Sequence, residues 1–427
     1  MKPPPQGEWA DGLFGARLFL IMSSGYFMSY GLRAVNATIA PELVEGTGLS
    51  NAELGSLTSA YFLAFAVLQL PLGVWLDRFG PRRVDAALIA VAAAGCLVFA
   101  VSDSFAGLWT GRALLGAGFA AGLMAPFALF RIWFPPRLQT RMAAWTLMVG
   151  TAGVLVATLP VRALLAVMDW RGVFVACALV LVLIAATMWF GVPSQREPAG
   201  RGGPSFLGSL AGYADVGRSR FFWRMVLMGG VMQGGFIALQ TLWLGPWFTR
   251  VLLMTPQQSA AWLFGFNAAL LAAYLLTGYL APRLGHQEST VIRLSAIAVG
   301  LTALLIALVA AAPAFAGVWA WLLVAAIHSV FTPIQARVGL SFPKHLTGRA
   351  LTAYNLMVFV AVFGLQMGAG LLVDGLIRAG LSEVDAFRSG LAALAATQAV
   401  TWILFVFWPP SPAAAGAASP QHPVRTG

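Results

Sequence analysis

The chain has 427 residues, of which 59% are hydrophobic and only 10% are charged. A soluble domain carries about 25% charged residues, so this composition excludes an ordinary soluble protein, and it is too apolar for a disordered chain. The net charge is +11, and 24 of the 26 basic residues are Arg scattered between apolar runs. That scatter argues against a nucleic-acid binder, which gathers its charge on one face.

The chain has two cysteines, Cys96 and Cys177, both within apolar runs, and four histidines without the spacing of metal ligands. No disulfide framework, metal centre or cofactor is therefore expected. No nucleophile and base stand in a recognisable arrangement either, and we do not expect an enzyme.

Twelve segments are apolar over the roughly 20 residues that a membrane-crossing helix needs. The predicted spans are 14–40, 51–76, 84–102, 105–133, 142–167, 171–192, 221–248, 258–281, 290–312, 317–340, 349–373 and 386–408. If both termini are cytoplasmic, 19 of the 26 basic residues lie inside and five lie outside. The positive-inside rule therefore predicts that orientation.

The longest interruption, 193–220, is rich in Gly, Pro, Ser and Arg. We expect it to be a cytoplasmic linker between two six-helix bundles, 14–192 and 221–408. Residues 1–13 are expected to form a short cytoplasmic tail and residues 409–427, rich in Pro and Ala, a disordered one.

The two halves resemble each other at two places. Residues 73–80 align with 278–285, each after the second helix of its half, and residues 134–141 align with 342–349, each before the fifth helix. Two repeats of the same orientation, each of six helices, are typical of one class of secondary transporter.

Residues 73–83 read Gly-Val-Trp-Leu-Asp-Arg-Phe-Gly-Pro-Arg-Arg, which resembles the signature loop of the major facilitator superfamily. Residues 112–118, Arg-x-x-x-Gly-x-Gly, resemble the second motif of that family, and Trp-Arg-x-x-Phe at 170–174 also fits. The resemblance covers residues 14–408. It implies an all-α membrane protein with twelve transmembrane helices in two six-helix bundles, which rock about a central cavity in the inner (plasma) membrane.

The signature loop also implies a gate at the cytoplasmic side. By resemblance, Asp77 helps to lock that side by facing the start of helix 11, near Gly348 and Arg349, or Arg131. Glycines allow a tight turn and close helix contact there. The alternative is that these charges only hold the loop inside. The predicted gating residues are Gly73, Asp77, Arg78, Gly80 and Arg131.

Two charged residues lie deep within predicted spans, Arg33 in the first and Arg112 in the fourth. Each is eight positions from the outer end of its span, hence about 12 Å deep. Such charges cost about 2.5–3.5 kcal/mol on insertion scales. Glu53, Asp77 and Asp85 lie near span ends, so we expect substrate, backbone carbonyls or water to meet the two guanidiniums. Arg suits carboxylate binding.

Residues 30–36 and 40–43 resemble the first helix of the anion:cation symporter branch, whose members carry organic anions such as sugar acids with one Arg in helix 1 and one in helix 4. The resemblance departs at Leu32, where proton-coupled members often have an acidic residue. Other polar side chains that could complete the cavity are Tyr30, Asn36, Gln233, Gln240 and Asn355. The alternative for each amide is a helix-to-helix hydrogen bond, about 0.6 kcal/mol on average.

With no deep carboxylate, His328 is the predicted proton-coupling residue, since its imidazole can titrate between about pH 5 and 8. The alternatives are a neutral histidine bonded to a neighbouring helix, or transport without a proton.

We therefore predict a secondary transporter that imports a small organic anion, coupled to a proton and working as a monomer among membrane lipids, with no nucleic-acid partner. A proton-driven multidrug or metabolite exporter is the alternative. The exporter lacks support because exporters of the resembled family usually carry a Gly-Pro pair followed by glycines in helix 5, and the fifth span has none. Nitrate porters carry an Arg in helix 2, and the second span has none.

Overall fold

The computed structural model describes residues 10, 12–193, 213–280, 288–331, 338, 341–343 and 346–408, and within these ranges its regular structure is entirely helical. The predicted tails, most of the predicted linker, and the second-half loop around Pro282 lie outside the described residues.

The first half runs from α1 to α8. Its helices are α1 (Gly12–Thr47), α2 (Asn51–Phe79), α3 (Pro81–Val101), α4 (Phe105–Gly118), α5 (Met124–Trp133), α6 (Pro136–Val156), α7 (Leu159–Leu164) and α8 (Trp170–Gly191). The second half has α9 (Arg220–Ala238), α10 (Pro256–Leu280), α11 (Glu288–Ala311), α12 (Trp319–His328), α13 (Thr347–Arg378) and α14 (Glu383–Phe407). Beyond α9 the helix continues through two π-helical segments, Leu239–Trp243 and Trp247–Val251.

Two predicted spans are broken in the structure. The fourth is divided into α4 and α5 by a turn at 119–123, Phe-Ala-Ala-Gly-Leu, where apolar composition alone gave no stop signal. The fifth is divided into α6 and α7 just before Pro160, whose ring cannot continue an α-helix without losing a hydrogen bond.

The first helix is longer than predicted. It was expected to end at Ala40, before a proline, but α1 contains Pro41 and continues to Thr47. A proline removes only one backbone hydrogen bond, and the outer turn is held by packing, since Leu43 is fully buried. The helix ends at Gly48, whose φ of +68° suits a residue without a Cβ.

Within the described residues, eight helices are long and apolar enough to cross a membrane by length and composition. Helices α5 and α12 are apolar but shorter. The count of twelve spans and the position of the termini stay predictions. Below, "outer end" denotes the end of the molecule that holds the C-terminus of α1, and "inner end" the opposite one.

The two halves meet closely at the outer end, where α2 packs along α13 and α1 packs on the π-helical part that follows α9. Glycines make these contacts close. A Cβ at Gly55 would lie 2.6 Å from the carbonyl oxygen of Gln366, and one at Gly245 would lie 2.0 Å from that of Ala37. At the inner end, a Cβ at Gly73 or at Gly348 would meet nothing within 4 Å. In the described residues the two halves thus make their closest backbone contacts at the outer end.

Candidate substrate site and gates

Arg33 lies in α1 inside an aromatic enclosure formed by both halves. Its guanidinium carbon is 4.6 Å from the centre of the Tyr30 ring. The other rings are those of Phe65 at 5.3 Å, Tyr61 at 5.5 Å, Phe62 at 5.6 Å and Phe359 at 5.7 Å. Phe359 belongs to α13, in the second half. Cation–π attraction is worth about 2 kcal/mol or more per contact where water is excluded, so the rings offset part of the cost of burying this charge.

The charge of Arg33 has no ionic partner in the part of the chain that the structure describes. The residue is 8% exposed, and its Nε is buried without a hydrogen bond. The sequence predicted that substrate, backbone or water would meet this charge, and it missed the aromatic rings. Spacing could have indicated them, since Tyr61 and Phe65 are four apart on α2 and share a face.

Arg112 is held within the first half, against the backbone that directly precedes Arg33. It is 1% exposed, and its Nη1 donates a 2.8 Å hydrogen bond to the backbone oxygen of Leu32. Its guanidinium lies over the rings of Phe99 in α3, at 4.9 Å, and Phe174 in α8, at 5.3 Å. In this conformation Arg112 ties α4 to α1, α3 and α8. Its contact with substrate stays a prediction.

Two of the predicted cavity residues are engaged in hydrogen bonds between helices. Asn36 is fully buried and donates to the hydroxyl of Thr58 in α2 at 2.7 Å. Gln240 donates to the side-chain oxygen of Asn267 in α10, also at 2.7 Å. Asn36 is closed off in this conformation, and its contact with substrate stays a prediction.

The remaining predicted residues are half-buried. Gln233 and Asn355 make no hydrogen bond to another described group, and Tyr30 packs its ring on Tyr26, with centroids 4.7 Å apart. Asn355 lies one helical turn before Phe359 on α13, so it shares the face that reaches Arg33. Tyr30, Arg33 and Asn355 are therefore on surfaces that meet between the halves.

His328 ends α12 and stacks face to face on Phe236 of α9, with centroids 3.6 Å apart and planes 4° apart. It is 7% exposed, and its Nδ1 has no hydrogen-bond partner in the described structure. The alternative of a histidine bonded to a neighbouring helix through Nδ1 does not hold in this conformation. Proton coupling through His328 stays a prediction.

Asp85 is a buried carboxylate that sequence reasoning set aside because it lies near a span end. In the structure it is fully buried in the first turns of α3, and both of its carboxylate oxygens lack a hydrogen-bond partner among the described groups. The sequence could have indicated this burial. Asp85 follows the loop at 73–83 by only a few residues and lies on the face of α3 that buries Leu88 and Ile89.

The predicted gating residues are described in part. Gly80 forms a turn, with φ +80° and its N–H donating to the Leu76 oxygen at 3.1 Å. A Cβ at Gly73 would meet nothing within 4 Å. Arg78 and Arg131 are exposed. The side chain of Asp77 lies outside the described structure, so its gating role stays a prediction.

A polar network that the sequence did not indicate joins the halves at the outer end. The carboxylate of Asp374 in α13 accepts from the backbone N–H of Ala52 at 2.7 Å, and from the N–H and side-chain amide of Asn51 at 3.2 and 2.8 Å. Arg250 donates to the Asn51 side-chain oxygen at 3.2 Å and pairs with Glu383 at 2.7 Å. We call these five residues the outer latch.

Three curated relatives carry anions by name. A probable L-galactonate transporter of Escherichia coli is 30% identical over 42% of this chain and 39% of its own length. A probable nitrate/nitrite antiporter, NarK1, of Thermus thermophilus is 28% identical over 56% of this chain and 55% of its own. The cis,cis-muconate transport protein of Acinetobacter baylyi is 26% identical over 65% and 68%. The chain thus spans well under half of the first relative and just over half of the second.

The fold is shared with solved transporters. A bacterial homologue of the human lysosomal transporter Spinster, in an inward-facing and unoccupied conformation, superposes with a TM-score of 0.70 at 17% identity, over 95% of this chain and 96% of that one. At that identity the likeness shows the fold alone. The sequence profile of the Major Facilitator Superfamily matches residues 22–365. With the motifs and the helical architecture described above, this shows that the chain belongs to the Major Facilitator Superfamily.

Proposed function

We propose that this transporter moves a small organic anion across the inner membrane by alternating access, with Arg33 as the anion-binding residue. The observation that carries the proposal is the environment of Arg33: a permanent cation, deep in α1, between the two halves and without an ionic partner in the described structure. Arg is the side chain whose planar donors match a carboxylate. An anion bound there touches both halves, because Phe359 of α13 borders the same guanidinium.

The relatives support an anion and leave its chemistry open, since their names include a sugar acid, an unsaturated dicarboxylate and nitrate or nitrite. We favour an organic anion over nitrate. The second span carries no Arg between Asn51 and Asp77, so the helix 2 arginine expected of nitrate porters is missing.

We propose further that the anion enters the cell together with a proton, with twelve spans and both termini cytoplasmic. Two buried titratable side chains support a coupled mechanism. They are His328, stacked on Phe236, and Asp85, whose carboxylate has no partner in the described residues. Coupling requires that anion binding favour the protonated form of one of these groups, which is the linkage that a symporter needs.

The test uses the purified chain in proteoliposomes, with uptake of radiolabelled organic anions driven by an imposed pH gradient, inside alkaline. We expect uptake in the wild type, and a loss of well over tenfold in affinity for Arg33→Ala, as for a truncated buried charge contact of about 2–5 kcal/mol. Arg33→Lys should rescue poorly, because a point charge does not give bidentate geometry. Wild-type uptake in Arg33→Ala contradicts the proposal. Uptake that occurs only when the pH gradient is reversed, with the interior acidic, favours the exporter.

A further inference from the structure

Several polar side chains of the two halves are paired with one another between helices. The hydroxyl of Ser29 shares a 2.9 Å hydrogen bond with that of Tyr61, and the Asn36 amide is bonded to Thr58. In the second half, Gln240 is bonded to Asn267, and Gln366 donates to the hydroxyl of Thr241 at 2.8 Å. These pairs join helices, while the side-chain oxygens of Asn36 and Gln366 keep no partner in the described structure, so the rings around the guanidinium are the clearer guide to the substrate.

Aromatic faces make up the surroundings of the guanidinium instead. Phe65 and Phe359 pack with centroids 4.7 Å apart, and Phe62 stacks on Phe359 at 5.9 Å. These rings come from α2 and α13, so they form one apolar wall across the two halves. A ring presents no donor or acceptor to a hydroxyl, but it packs well against a flat apolar or conjugated body.

The two deep guanidiniums have different surroundings. Arg112 donates through Nη1 to the Leu32 oxygen and lies over the rings of Phe99 and Phe174, all within the first half. Arg33 is the one that the aromatic wall across the two halves borders. One guanidinium suits one carboxylate.

Building on the proposed function, we infer that the substrate is a flat, unsaturated or aromatic monocarboxylate, and that Phe65 and Phe359 select it over polyhydroxylated sugar acids. Its carboxylate pairs with Arg33, and its conjugated body lies against the aromatic wall. The hydroxyls of a sugar acid bound in the same place would face the rings of Phe65 and Phe359, which offer them no hydrogen bond.

The experiment measures binding by isothermal titration calorimetry to the full chain in lipid nanodiscs at neutral pH. The probes are benzoate, sorbate, hexanoate and D-gluconate, of which sorbate and hexanoate have the same carbon skeleton with and without conjugation. We expect benzoate and sorbate to bind about tenfold more tightly than D-gluconate and several-fold more tightly than hexanoate.

Variants then locate the selectivity. Phe359→Leu keeps apolar volume but removes the ring, and it should weaken benzoate by about five- to tenfold while changing hexanoate by less than about twofold. Phe222→Leu is the matched control, since Phe222 is equally buried in the second half but lies at the inner start of α9. It should leave both affinities unchanged.

The outcomes separate this inference from the proposed function. If D-gluconate binds as tightly as benzoate, and Arg33→Ala abolishes that binding, the inference is wrong and the anion site stands. If none of the four anions binds, or if binding survives Arg33→Ala, both are wrong.

Discussion

The sequence predicts that Arg33 and Arg112 lie at the same depth in the membrane, but their side chains point in different directions. Position along a helix follows from counting residues, whereas the face that a side chain occupies follows from which neighbouring helix it meets. Arg112 turns toward α3 and α8 and bonds the Leu32 oxygen, all within its own half. Arg33 turns toward the other half. We therefore expect Arg112 to matter more for folding and Arg33 more for binding.

This difference predicts opposite effects of one substitution. Arg112→Leu should lower the melting temperature by several degrees, because it removes a charge-assisted hydrogen bond worth about 1.5–3 kcal/mol, yet change anion affinity by less than about threefold. Arg33→Leu should keep the melting temperature and lose affinity. Thermal unfolding by intrinsic fluorescence, together with calorimetric binding, measures both. The reverse pattern would place the ligand at Arg112.

Proton coupling is tested by removing each buried titratable group separately. We expect His328→Gln to abolish the response of anion uptake to a pH gradient while leaving anion exchange across the membrane intact. Asp85→Asn serves as the competing variant, because Asp85 is also buried and without a hydrogen-bond partner in the described structure. Gradient-driven uptake that persists in His328→Gln but is lost in Asp85→Asn would reassign the proton to Asp85.

Side-chain pairing explains why some polar residues were placed correctly and others were not. Asn36 and Gln240 were recognisable as polar residues within apolar helices, but their partners, Thr58 and Asn267, are on other helices. A single sequence does not show which hydroxyl or amide of another helix will lie within hydrogen-bond distance. Tyr30, on the same face of α1 as Arg33, was predictable because helical spacing alone fixes that relation.

At the scale of elements, α2 begins with two caps that come from different halves. Ser50 and Glu53 form a capping box within the first half. Asp374 adds a carboxylate from α13, bonded to the N–H groups of Asn51 and Ala52. A carboxylate at a helix N-terminus stabilises it by about 0.3–1 kcal/mol, and up to ~2 when partly buried. That second cap exists only while the outer end is closed.

Asp374→Asn should therefore favour the conformation that is open at the outer end. The amide loses the charge that the N-terminus of α2 attracts, so closure becomes less favourable by about 1 kcal/mol. Spin labels are attached at Glu45→Cys and Arg378→Cys, both exposed at the outer ends of α1 and α13. Double electron–electron resonance then measures the distance between the two labels. We expect a larger population at long distance than in the parent chain.

The control for this experiment is Asp385→Asn. Asp385 is also a carboxylate at the outer end of the second half, but it pairs with Arg388 in its own helix, α14. It should leave the distance distribution unchanged. Equal shifts in both variants would mean that loss of surface charge, and not the outer latch, governs closure.

Helix centres were more predictable than helix ends. Each predicted span overlaps a helix because about 20 apolar residues leave few other folds in a membrane. The ends depended on local tolerance: Pro41 is accommodated inside α1, whereas the chain breaks before Pro160. The difference lies in packing around each proline, which composition does not report.

At the scale of the molecule, closure at the outer end depends on backbone contacts that admit no side chain. Gly245→Ala would place a Cβ 2.0 Å from the Ala37 oxygen, so we expect this variant to remain open at the outer end, to bind substrate from that side and to lose transport. Gly364→Ala, on α13, is the control, since a Cβ there meets nothing within 4 Å. Normal transport by Gly245→Ala would show that closure does not need this contact.

The division into two six-helix halves stays a prediction, whereas the family could be predicted because the loop at 73–83 is local in sequence. The conformational state could not. One chain must adopt both the inward-open and the outward-open arrangement, so a pattern in the sequence is compatible with either. The contact of Phe359 with Arg33 and the outer latch depend on the conformational state, so the sequence alone does not predict them.

The glycine contacts also decide how well the closed end insulates the membrane. At Gly245 against Ala37 and at Gly55 against Gln366, helix backbones touch without an intervening side chain. A water molecule, with a radius of about 1.4 Å, does not fit between surfaces so close. A chain of waters able to conduct protons cannot pass those points. Leakage through an idle carrier would dissipate about 2.3 kcal/mol per charge at 100 mV, and these bare helix crossings prevent that loss there.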